Sequence, residues 1–157
     1  MMNTYVIATQ QLTAAQRRAA GLGDVMLWDT SRPYYYARWT GDGRVLFGGL
    51  DRPRVRRATR QSMLRRRGDE LMQDLVDLFP SLSGVQPEYT WEGLFANTPD
   101  GLPYIGTHRR YPRQLFALGY GGNGMTFAAL AARMLVEQWF GDASPDHDLF
   151  AFNRLAR

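Results

Sequence analysis

A glycine-rich turn set directly before an apolar helix is a place where a chain can hold a ligand by its backbone. Residues 119–125, Gly-Tyr-Gly-Gly-Asn-Gly-Met, form such a stretch, and the apolar segment that follows runs to Phe140. The first amides of a helix have no intrahelical acceptor and sit at the positive end of its dipole, so they favour an anionic or oxygen-rich group. Glycine leaves room for that group to reach the backbone. The same letters also fit a strand-to-helix turn that needs glycine only for its dihedral angles, and on spacing alone this second explanation is the simpler.

Other chemistry is easier to exclude. His108 and His147 stand in unrelated contexts without an i, i+4 partner, so no metal site is expected. There is no cysteine, which removes disulfides, thiolate catalysis, cysteine-bound metals and a cysteinyl-linked cofactor, and which fits a reducing cytoplasm. No nucleophile elbow, phosphate-binding loop or carboxylate pair can be read from the spacing. No G-x-G-x-x-G follows the N-terminal strand, so the usual dinucleotide cradle is not found there. Thr98-Pro99-Asp100-Gly101 reads as a β-turn in which Asp100 fixes the backbone.

All nineteen basic residues are arginine, and seven of them crowd into RVRRATRQSMLRRR at 54–67, leaving twelve against fifteen acids elsewhere. That run has neither a nucleic-acid reading motif nor stacking aromatics beside it, so it reads as a solvated loop and helix start with a local anionic neighbour, and no nucleic-acid partner is expected. An apolar content of 45% places the 157 residues with globular proteins, and no apolar run approaches a membrane span.

The elements that must position the glycine turn follow from pattern. TYVIATQQL, DVMLWDTS, PYYYARWT and RVLFGGLD read as strands, the last two joined by a tight turn at Asp42-Gly43; TAAQRRAAGLG reads as a short helix or loop stopped by Gly21 and Gly23. From about Thr59 to Phe79, apolar residues recur at spacings of three and four, which predicts a helix that Gly68 weakens and Pro80 stops. PEYTWEGLF is a strand, NTPDGLPYIG a turn-rich link, QLFALGY a strand, and the final helix ends at Gly141, with Phe150 and Phe152 tying the tail back. Strand alternation puts Tyr34 and Tyr36 on one face and Tyr35 on the other, so at most part of this cluster, with Trp39, faces any one site. The predicted fold class is α+β, a mostly antiparallel sheet with a mid-chain and a C-terminal helix, in a single domain over residues 1–157.

Three stretches in order carry a resemblance: YYYARWTGDGRVLFGGLD, WEGLFANTPDGLPYIG and LFALGYGGNGMTFAALAARMLVEQWFG. Together they resemble the C-terminal portion of the FAD-dependent amine and amino-acid oxidoreductases, the superfamily of D-amino-acid oxidase, glycine oxidase and sarcosine oxidase. The similarity runs from the TYVIATQ strand to the tail. It implies a substrate-binding portion plus the last strand and helix of the flavin domain, without the N-terminal dinucleotide fold. It also implies FAD as the cofactor of the complete protein, with Gly121, Gly122, Asn123, Gly124 and Met125 against the flavin ring end. Trp91, Phe95, Thr98, Pro99 and Asp100 would line the wall near the substrate.

Two departures bear on the substrate. Glycine-oxidase-like members carry a carboxylate-pairing arginine where this chain has Phe95, and a second one where it has Gly122. Without those guanidinium forks an amino-acid carboxylate loses its partner, so the lean is toward an amine over an amino acid, although Arg38 or another arginine can substitute. A start at MMNTYVIATQ, on an interior strand of that fold, suggests a truncated protein, for which the missing flavin domain or self-association would cover exposed apolar area. The alternative is a flavin-free independent domain serving as an assembly or binding module.

Overall fold

The computed structural model describes residues 1–54, 56–142 and 144–156. The chain divides into two compact units, Met2–Leu94 and Phe95–Arg157.

The first unit is an antiparallel sheet with helices. Strands β1 (Met2–Thr9), β2 (Leu27–Trp28), β3 (Tyr36–Trp39), β4 (Val45–Pro53) and β5 (Pro87–Phe95) form a sheet in the order β2-β3-β4-β1-β5. Ile7 pairs with Phe47, which in turn pairs with Ala37, so β1, β4 and β3 lie in antiparallel register across one row. Helix α1 (Ala14–Ala20) starts at a capping box: the Thr13 hydroxyl accepts the Gln16 amide hydrogen at 3.2 Å, and the Gln16 side chain accepts that of Thr13 at 2.9 Å.

Helix α2 (Arg60–Leu78) presents Leu71 and Leu75 to the sheet, where they join Tyr5, Ile7, Val45, Phe47 and Leu82 in the core. Burial of side chains at helical spacing against strand residues at alternate positions is what both patterns require. Tyr35 stacks on Phe47 with ring centres 5.3 Å apart, while Tyr34 lies near Tyr36 at 6.3 Å, as the alternation of the strand predicts. Gly68 does not break α2. It is buried, and a Cβ there would come within 2.9 Å of the Thr90 side chain, so the glycine serves close approach of β5 to the helix. In the arginine run Arg54, Arg56, Arg57, Arg65 and Arg66 are exposed, whereas Arg60 pairs with Glu92 and Arg67 with Glu70.

The second unit is a hairpin covered by a helix. Strands β6 (Tyr104–His108) and β7 (Tyr111–Leu118) pair antiparallel, with Ile105 opposite Ala117. The second half of the expected link NTPDGLPYIG is therefore a strand: Pro103 is buried, and β7 supplies the partner that turns Tyr104–His108 into a ladder. Helix α3 (Gly124–Phe140) packs Ala131 and Met134 onto Ile105, and Phe150 of the tail completes this small core. Phe152 stacks on Tyr104 at 5.1 Å and meets His108 edge-on at 5.2 Å, so both tail aromatics fold back. Among the described residues no helix is long and apolar enough to cross a membrane.

Candidate functional site

The glycine turn lies between β7 and α3, where the chain must reverse after an antiparallel hairpin. Gly119 and Gly121 make that reversal at φ of +81° and +57°, in the left-handed region that side chains with a Cβ seldom occupy. Space excludes a side chain as well: a Cβ at Gly119 would lie 2.7 Å from the Thr98 methyl, and one at Gly121 would lie 2.8 Å from Asn97 Oδ1. The structure thus brings two sequence motifs together. The Gly121 amide donates to the carbonyl of Ala96 at 3.1 Å, joining the turn before α3 to the segment that follows β5.

The start of α3 is open. Phe127 N–H makes the first intrahelical bond, to Asn123 O at 3.1 Å, and no side chain caps the three amides before it. No acid stands in the first turn to neutralise the helix dipole. Gly122 and Asn123 are exposed, the Cβ side of Gly124 is empty to 4 Å, and Met125 is 90% exposed. Such a terminus presents several donors and a positive potential to whatever approaches it, which fits the oxygen-rich, electron-accepting end of a flavin.

The turn at 98–102 is tightly closed. Thr98 Oγ1 donates to Leu102 O at 2.8 Å, and the Leu102 amide donates to Asp100 Oδ1 at 3.2 Å. Arg154 grips the same carboxylate, Nε to Oδ2 at 2.7 Å and Nη2 to Oδ1 at 2.9 Å. These hydrogen bonds, the one from Arg154 foremost, hold the Asp100 carboxyl far below the usual carboxylate range. Asp100 is therefore ionised at neutral pH with its oxygens already engaged, and it fixes backbone instead of exchanging protons.

Of the remaining residues expected at a site, Pro99 is exposed in the same turn and Phe95 is half-buried at the end of β5. Trp91 lies in β5 of the other unit, and its side chain is exposed. Arg154 was not anticipated; its position two residues beyond the tail aromatic Phe152 is the only sequence signal for it.

Gly119, Gly121 and Gly124 also have the G-x-G-x-x-G spacing between a strand and a helix. The context differs from a dinucleotide fingerprint. The strand belongs to an antiparallel hairpin, and among the described residues α3 leads into short 3-10 helices instead of a parallel strand.

Residues 2–138 match the profile of the family described as DAO, FAD dependent oxidoreductase. The chain belongs to this family. It is 31% identical to the gamma-glutamylputrescine oxidoreductase of Escherichia coli over 140 residues, which cover 89% of this chain and 31% of that protein. It is 32% identical to the glycine oxidase of Bacillus licheniformis over 74 residues, 47% of this chain and 20% of that one. The chain thus spans about a third or less of the curated relatives it matches. The L-proline dehydrogenase from P. horikoshii has the same fold over 99% of this chain and 40% of its own, with a TM-score of 0.72 at 18% identity.

Proposed function

We propose that this chain is the substrate-binding portion, with the closing strand and helix of the flavin domain, of an FAD-dependent oxidoreductase that oxidises the C–N bond of an amine or amino acid. One observation carries the proposal: in a chain of this family, the N-terminus of α3 is uncapped, free of acid and preceded by a glycine turn whose outer side is open.

In this proposal the amides of Gly122, Gly124 and Met125 hold the oxygen-bearing edge of the flavin ring, with Asn123, whose own amide donates to Tyr120 O at 3.1 Å, beside them and Gly121 fixing the turn behind. The α3 dipole then favours the extra negative charge of the reduced state. The flavin, when bound, supplies the hydride acceptor. The part of this chain is to hold and orient: Phe95 and the Thr98–Asp100 turn form one wall near the substrate, and in the other unit the exposed Trp91 offers an aromatic face of the kind that attracts a cationic amine. No dinucleotide fingerprint follows β1, so the ADP half of the cofactor is assigned to residues outside this chain, supplied by a longer protein or a partner.

An amine is favoured over an amino acid as substrate. Phe95 and Gly122 stand where glycine-oxidase-like members place carboxylate-pairing arginines, and the relative named for gamma-glutamylputrescine aligns over 89% of the chain.

The test is the visible spectrum after incubation with FAD and removal of unbound cofactor, followed by turnover assays with amines and with glycine or D-amino acids. No flavin retained by this chain alone, and flavin reduced faster by amines in a longer protein or complex that supplies the ADP site, is the expected result. Bound flavin that glycine or D-amino acids reduce faster than amines contradicts the substrate assignment, and bound flavin that neither class reduces contradicts the reaction.

A further inference from the structure

The family profile ends at residue 138, yet the tail beyond it is built into the second unit. Its most engaged side chain is Arg154, which is 7% exposed. Besides the fork on Asp100, Nη2 donates to Leu102 O at 2.6 Å, and Nη1 lies 3.3 Å from Ala151 O and 3.4 Å from Phe150 O. The guanidinium carbon sits 3.9 Å from the centre of the Tyr104 ring. Ordering an arginine this fully costs much of its rotamer freedom, and a two-point grip fixes the direction of a carboxylate as well as its place.

We propose that Arg154 is a positioning residue for the flavin-contact segment Gly121–Met125, an inference that rests on the flavin assignment above. The coupling runs through contacts of one compact unit. Arg154 holds Asp100 and Leu102; the Thr98–Leu102 hydrogen bond closes the turn; Thr98 and Asn97 pack against Gly119 and Gly121; and Ala96 O receives the Gly121 amide. A residue outside the family profile thereby sets the backbone from which the first amides of α3 project. Lysine keeps the charge but not the fork, so it can only partly replace Arg154.

The test is amide hydrogen exchange on the full 157-residue chain without flavin, comparing wild type with Arg154→Met, Arg154→Lys and Asp100→Asn. Exchange at the bonded amides of Leu102, Gly121 and Phe127 is expected to quicken by about tenfold or more in Arg154→Met and Asp100→Asn, and less in Arg154→Lys. Amides at the centre of the β6–β7 hairpin and in α2 should keep their wild-type rates. Unchanged exchange at Gly121 in Arg154→Met overturns the proposal. So does a uniform rise throughout Phe95–Arg157, which would mark Arg154 as a support of the whole unit. Excess FAD added to the wild-type chain separates the two claims: bound flavin that gives no protection at Gly121–Met125 contradicts the flavin contact and the function given to Arg154, while the flavin-free comparison judges the coupling itself.

Discussion

Gly121 and Ala96 share a backbone hydrogen bond of 3.1 Å that joins two segments far apart in sequence. That bond lets the turn after β5 and the turn before α3 act as one piece. It also makes the glycines at 119 and 121 structural requirements, separate from any part they take in ligand approach. Gly119→Val is expected to destabilise the second unit through both its left-handed φ and the Thr98 contact, with the backbone strain alone worth about 1–3 kcal/mol. Gly124→Ala meets empty space and should leave stability within about 0.5 kcal/mol of wild type. Thermal unfolding of the two variants checks this, and equal melting temperatures would contradict the packing described.

Gly68 supplies an independent test in the sheet unit. Alanine is the better helix former by about 1 kcal/mol, so propensity alone says that Gly68→Ala stabilises α2. The Thr90 side chain, 2.9 Å from the added Cβ, reverses the sign. Loss of stability in Gly68→Ala, relieved in the double variant with Thr90→Ala, is the expected result in denaturant titrations. A stabilised single variant would show that β5 yields to the helix.

Along α3 the outward residues Met125, Val136, Trp139 and Phe140 are all exposed, Trp139 by 73%. Apolar area of this kind on a helix normally finds a cover. Wild-type chain is expected to associate as concentration rises in sedimentation velocity, and Val136→Arg with Trp139→Arg is expected to restore the monomer without changing the circular dichroism. A wild-type chain that stays monomeric at high concentration would count against this.

Tyr35 donates to Asp74 Oδ2 at 2.9 Å, and its hydroxyl is pushed up to about 12, first by burial and then by that hydrogen bond. An unfolded tyrosine titrates near 10. Between about 10 and 12 the folded chain therefore keeps a proton that the unfolded chain has lost, so stability present below this window falls as pH rises through it. The urea midpoint of Tyr35→Phe should fall less steeply over that range than that of wild type. Identical slopes would contradict the assignment.

Much of this was legible in sequence wherever one local pattern decided the outcome. β1, α1, β5 and both ends of α3 follow from β-branched and apolar runs and from glycine stops, while the capping box at Thr13 settles α1 as a helix. The Tyr34, Tyr35 and Tyr36 faces follow from the two-residue period of a strand. What was not legible depends on partners distant in sequence. β6 exists because β7 pairs with it, Gly68 is explained only by Thr90, and DVMLWDTS keeps just Leu27 and Trp28 as strand because only Tyr36 and Ala37 pair with it. Arg154 escaped notice for the same reason: nothing in FNRLAR points to Asp100.

The central claim is that the first amides of α3 meet the flavin, and the most direct measurement is a two-dimensional amide NMR titration of the chain with FAD. The expected result is a set of shift changes concentrated at Gly121, Gly122, Asn123, Gly124 and Met125, weakened in a variant that places an acid in the first turn, such as Thr126→Glu. Shift changes confined to other residues, or none at saturating FAD, would contradict it.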